Sequence, residues 1–241
     1  MNEKKNLTTE ETFALAVQNH KKNNLQVAEK LYKKVLNINS NDLQSNFLLG
    51  TLSAQTKQFD IAKKLLNRSI EINPNYADAH NNLGLVFFGL GDLQKAKSCY
   101  EKAIQINPNH VDAHNNLGLV YKNLVDFQKA KSCFEKAIQI NPNHVDAHNN
   151  LGVVFNQLGQ HQKAKSCFEK AIEINPNYAG AHNNLGNTLK ELGEHQKAKS
   201  CFEKAIQINP NYVGAHNNLG NTLKELGEYQ KAKNFYQMAV K

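Results

Sequence analysis

Five pairs of asparagines recur along the chain: Asn81 with Asn82, Asn115 with Asn116, Asn149 with Asn150, Asn183 with Asn184, and Asn217 with Asn218. A carboxamide carries two N–H donors and one oxygen with two lone pairs. That set matches the C=O and N–H groups of an extended polypeptide, which repeat whatever its side chains are. A regular column of amides is therefore chemistry for holding a peptide backbone. Two other columns accompany it: His80, His114, His148, His182 and His216, and Cys99, Cys133, Cys167 and Cys201. Equivalent atoms in stacked helical hairpins lie roughly 10 Å apart, a helix-packing distance. Zinc needs ligands converging at about 2 Å, and a disulfide needs Cα atoms within roughly 7 Å. Both columns therefore read as packing residues. No metal or cofactor is expected, and the thiols fit a reducing compartment.

These columns share one period. Pro74, Pro108, Pro142, Pro176 and Pro210 are each 34 residues apart, as are the histidines and cysteines. With proline at position 32, the sequence divides into a tail, 1–8, and the repeats 9–42, 43–76, 77–110, 111–144, 145–178, 179–212 and a shortened 213–241. The first two repeats are the most divergent, as an end that caps a stack should be.

Each repeat predicts two helices. The first spans positions 1 to 14, with Ala79, Leu83, Gly84, Val86 and Phe87 on one face in the third repeat. The second spans 16 to 29, with Ala96, Tyr100, Ala103 and Ile104 facing the first. Position 15 is often glycine, which closes a helix in the left-handed region at least cost. Val125 stands there once, and a β-branched residue at positive φ is costly, so a different loop is expected after that helix. Asn-Pro-Asn ends the second helix, and Asn75 is placed to cap the next first helix with Asp78 as the reciprocal acid. The fold class is all-α, a solenoid of seven helical hairpins.

Positions 2, 5, 6, 9, 12 and 13 lie opposite the core face of the first helix. The ten paired amides fall there, and position 9 adds Leu85, Leu119, Val153, Asn187 and Asn221. Upstream, Phe13, Val17, Phe47 and Leu48 occupy equivalent places. This face is the candidate peptide-binding wall, part amide and part apolar strip. The competing reading is that some amides bond to one another and that the strip packs internally.

The 34-residue period, Leu-Gly at 7–8, an aromatic or Leu at 11, Ala at 20, Tyr or Phe at 24, Ala at 27 and Pro at 32 resemble the tetratricopeptide repeat, over residues 9–241. That resemblance implies a right-handed superhelix with first helices on its concave side and a protein or peptide held in the groove. The amide column is similar to the superhelical repeats of O-linked N-acetylglucosamine transferases and related bacterial proteins, where an Asn at position 6 contacts the substrate backbone. The resemblance carries that role to Asn82, Asn116, Asn150, Asn184 and Asn218, and not to Ala14 or Leu48. The cationic pattern of repeats that clamp acidic chaperone tails is missing, since position 5 holds Phe or Asn and position 2 holds no lysine.

Composition narrows the function classes. An apolar fraction of 40% is too high for a disordered chain. No apolar run is long enough to span a bilayer, and the N-terminus has no apolar signal segment. No catalytic constellation occurs, so the chain is not read as an enzyme. The net charge is +8, from 29 basic and 21 acidic residues. Half of the basic residues recur at positions 19, 21 and 26, as Lys95, Lys97 and Lys102 do, interspersed with Glu101 and its equivalents. Without aromatic interleaving this is a solvated face, and nucleic acid is not the expected partner. The expected protein is a cytoplasmic scaffold for an extended peptide or partner protein. The alternatives are the substrate-recognition arm of a larger glycosyltransferase and a solenoid that self-associates through its bare C-terminal edge.

Overall fold

The computed structural model describes residues 7–239, with side chains described as far as Phe235. Residues 1–6 of the expected tail lie outside the described residues. So do Val240, Lys241 and the side chains of 236–239, at the edge expected to self-associate. The chain forms two compact units, residues 1–120 and 121–241. The first holds α1 (Thr9–Lys21), α2 (Leu25–Ile38), α3 (Leu43–Gln55), α4 (Phe59–Ile72), α5 (Ala77–Gly89), α6 (Leu93–Ile106) and most of α7 (Val111–Asn123). The second holds the end of α7, then α8 (Phe127–Ile140), α9 (Val145–Gln157), α10 (His161–Ile174), α11 (Ala179–Glu191), α12 (His195–Ile208), α13 (Val213–Glu225) and α14 (Tyr229–Ala239). No strand occurs among the described residues. Among the described residues, no helix is long and apolar enough to cross a membrane.

First helices occupy positions 1 to 13 and second helices 17 to 30. The core follows the predicted pattern. Ala79, Ala96, Tyr100 and Ala103 are buried, as are Ala147, Ala164, Phe168 and Ala171. Small residues let the helix pair approach closely, and the ring at position 24 fills the gap that remains. Glycine at position 8 allows that close contact in the later repeats, whereas the first repeat buries Ala16 in the same cluster as Tyr32. A Cβ on Gly84 would lie 2.5 Å from the Tyr100 ring, and one on Gly186 would lie 2.5 Å from Phe202.

The connections show why these helices stop and start. Asn73 caps the end of α4, and its Oδ1 accepts from the Asn75 N–H at 3.0 Å. Asn107, Asn141, Asn175 and Asn209 repeat that turn. The position-4 histidines staple the turn to the next helix. Nε2 of His80 donates to the Pro74 carbonyl at 3.0 Å, and His216 does the same to Pro210 at 2.8 Å. The expected asparagine cap is not what begins the next helix. Tyr76 stands at the cap of α5 and gives no side-chain bond. His144 caps α9, its Nδ1 accepting from the Ala147 N–H at 3.0 Å. Asn75 is already turned into the loop by Asn73, so its side chain is one residue too early to reach the helix.

The turn at Val125 also differs from expectation. Val125 has φ +61°, close to Gly159 at +70°, and its N–H donates to the Lys122 carbonyl at 3.0 Å. The loop is the same left-handed one, adopted by a β-branched residue under strain. Two substitutions separate these constraints. Val125→Gly should raise the midpoint of urea denaturation, by about 1 kcal/mol of relieved strain. Gly186→Ala should lower it by about 1–3 kcal/mol through overpacking against Phe202.

Candidate functional site

Successive first helices lie side by side within each unit, α3 against α5, and α11 against α9 and α13. The amide pairs sit along these seams, and the two members differ in place. Asn81, Asn115, Asn149 and Asn183 are buried, whereas Asn82, Asn116, Asn150, Asn184 and Asn218 are half-buried. Position 5 is therefore not presented as a wall, which corrects the expectation of two displayed amides per repeat. The reason is inter-repeat packing. In the second unit, Asn184 Nδ2 donates to Asn149 Oδ1 at 3.0 Å, and Asn218 Nδ2 donates to Asn183 Oδ1 at 2.9 Å. Asn217, in the last repeat, is exposed.

In the first unit the same bonds run into a longer chain. Asn116 donates to Asn81 at 3.1 Å, Asn81 donates to Asn82 at 3.2 Å, and Asn82 donates to Thr51 Oγ1 at 2.9 Å. There the oxygens of both Asn81 and Asn82 already accept a bond. In the second unit, the oxygens of Asn184 and Asn218 accept none, and each amide keeps a second N–H.

Position 9 changes character along the chain. Leu85 is 43% exposed, Leu119, Val153 and Asn187 are half-buried, and Asn221 is exposed. Phe13, Val17 and Leu48 lean onto the core of the first repeats, and Phe47 packs on Tyr76 with ring centroids 4.7 Å apart. The upstream part of the apolar strip is thus partly spent on internal packing. Two lysines one period apart went unread in the sequence. Lys190 pairs with Glu225 at 2.9 Å, and Lys190, Asn221, Lys224, Glu225 and Tyr229 line a shallow cavity. Their signal was the recurrence of Lys at position 12.

The histidine and cysteine columns serve the scaffold. No group of three metal-ligating side chains occurs among the described residues. None of the four cysteines is in a disulfide, and all are half-buried. Burial pushes the thiols of Cys99, Cys167 and Cys201 up to about 11, so they stay protonated and unreactive at neutral pH. On the second helices, Glu194 accepts from Lys197 of its own repeat and from Lys165 of the preceding one at 3.0 Å. Glu228 takes Lys199 at 2.8 Å and Lys231 at 2.6 Å. These lysines hold both carboxyls below the usual range. Two of the lysines there, Lys165 and Lys199, pair across repeats, while others pair within one, as Lys95 does with Asp92 at 2.9 Å and Lys97 with Glu101 at 3.7 Å.

Residues 77–110, 111–144, 145–178 and 179–212 each match the tetratricopeptide repeat, and residues 201–234 and 53–91 match further forms of it. The chain belongs to the tetratricopeptide repeat family. That family is one of protein-interaction modules. No curated protein matches the chain. Among solved structures, MamA superposes with a TM-score of 0.59 at 26% identity, over 66% of this chain and 92% of that one. YrrB, a tetratricopeptide repeat protein described as having an unusual peptide-binding site, gives a TM-score of 0.59 at 26% identity, over 73% and 90%. PilF of Pseudomonas aeruginosa gives 0.74 at 23% identity, over 80% and 88%, a likeness of fold alone.

Position-5 asparagines of the tetratricopeptide repeats should respond differently to truncation according to whether a following repeat buries them. Asn149→Ala removes the acceptor for Asn184 and leaves a hole in the seam, so it should lower stability by about 1–2 kcal/mol. Asn217→Ala should change it by less than about 0.5 kcal/mol. Urea denaturation of both variants measures the difference.

Proposed function

We propose that the chain is a protein-interaction scaffold that holds an extended segment of a partner against its first-helix face. The position-6 amides, with Asn187 and Asn217 alongside them, provide the polar contacts, and Leu85, Leu119 and Val153 provide apolar ones. The reading rests on one observation. Asn184 and Asn218 are each anchored by one N–H to the preceding repeat, yet each keeps a free oxygen and a second N–H. An anchored amide binds with little further loss of side-chain entropy. In these two repeats such a group offers an acceptor and a donor to a ligand whose own C=O and N–H groups recur. The peptide-binding description of YrrB, similar in fold and 26% identical, supports the same reading. The half-buried thiols, none of them in a disulfide, fit a reducing, cytoplasmic setting.

Asn187 and Asn217 give the cleanest test, because neither side chain has a partner within the chain. A peptide selected from a displayed library by the wild-type protein would be titrated by fluorescence anisotropy. The Asn187→Ala, Asn217→Ala double variant should weaken it about tenfold, or 1.4 kcal/mol, with unchanged helical content. N-methylation of the peptide backbone should weaken it further than alanine replacement of its side chains. Capture indifferent to both changes would sink the amide model.

A further inference from the structure

The junction between the first two repeats is built from different residues than the junctions that follow. Ser40 stands where Pro74 does one repeat later, and Asn46 stands where His80 does. The polar link is kept, since Asn46 Nδ2 donates to the Ser40 carbonyl at 3.0 Å, as His80 Nε2 does to Pro74. The ring volume is not kept. Both rings are replaced by smaller side chains, and a cavity of about 390 Å³ opens between α2, α3 and α4. That volume is within the range of small-molecule sites.

Its walls have two characters. Leu36 and Leu65 form an apolar side, with Leu65 standing where Cys99 does in the next repeat. Lys64, Arg68 and Glu71 form a rim carrying one excess positive charge. Arg68 is the only arginine of the chain, at a position where Lys102, Lys136, Lys170 and Lys204 follow. Its guanidinium is oriented rather than loose, donating to Glu71 at 2.6 Å and to Asn41. A planar, fixed fork suits a carboxylate better than a mobile ammonium does.

We infer that this cavity binds an amphiphilic organic monoanion, with its apolar body on Leu36 and Leu65 and its carboxylate at Lys64 and Arg68. The site is distinct from the first-helix face and independent of what that face holds. It makes the N-terminal cap of the solenoid a small-molecule site, and ligand binding would tie α2 to α4 across the first junction.

Octanoate is a suitable probe, with octanol as the uncharged control. Calorimetric titration of the full chain should show saturable one-to-one binding of octanoate and at least tenfold weaker binding of octanol. Methyl NMR shifts should concentrate at Leu36 and Leu65. The filling variant Ser40→Pro, Asn46→His should abolish binding without loss of stability. Asn39 already has φ −134° and ψ 95°, matching Asn73 before Pro74 at −135° and 94°, so proline enters without strain. Lys64→Gln with Arg68→Gln should weaken octanoate about tenfold and leave octanol unchanged, a reading that holds even if the filling variant is unstable. Octanoate that fails to saturate, shifts methyls elsewhere, or binds the filled or charge-neutralised variant as it does wild type would overturn the proposal.

Discussion

The contact between a helix backbone and a ring at positions 8 and 24 governs the rest of the molecule. Gly84 meets Tyr100, Gly152 meets Phe168, and Gly186 meets Phe202, each closer than one extra carbon allows. Because the fit is that close, each hairpin has one packing arrangement. The alanines at positions 20 and 27 then sit fully buried against the partner helix. With the hairpin defined, the next repeat meets a surface of fixed shape, and a period of 34 residues becomes a period in space. The amide seam, the histidine staples and the lysine–glutamate bridges all require that second repetition.

The seams are polar in a specific way. Position 34 reaches back to position 2 of its own repeat. His110 Nε2 lies 3.2 Å from an Asp78 oxygen, and the Tyr178 hydroxyl donates to Asp146 at 3.1 Å. The same tyrosine also lies over position 2 of the following repeat, Tyr178 over Gly180 and Tyr212 over Gly214. Buried amides obey the same logic. A buried carboxamide with no partner is costly, so Asn149 and Asn183 are tolerable only because Asn184 and Asn218 donate to them. One asparagine column is structural so that the other can stand half-exposed in a defined orientation.

Much of this was legible from residue spacing. Val86, Tyr100 and Phe168 announced the core through their helical phase, and the prolines set the repeat. The histidine column was read as packing from its spacing, and the structure adds a hydrogen bond from these rings to the proline carbonyls of the preceding turn. Two local readings failed for a shared reason. Asn75 had the chemistry of a helix cap and Val125 the wrong shape for a left-handed turn, yet the chain follows the same path in every repeat. Packing between hairpins over-determines both connections, so local preference loses and strain remains at Val125.

Sequence by itself determined the helices, the 34-residue period, the buried face of each helix and the identity of the amide columns. A helical wheel reports direction relative to a helix's own hairpin, and those features depend on nothing else. The fate of Asn81, Asn115, Asn149 and Asn183 was decided only by tertiary structure. Asn81, Asn149 and Asn183 point away from their own hairpin and accept a bond from the following one, a relation absent from any single helix. The cavity at Ser40 and Asn46 belongs to the same class, since missing volume exists only between neighbours. Half of the asparagine wall thus became a seam, because burial is a property of two repeats and sequence phase a property of one.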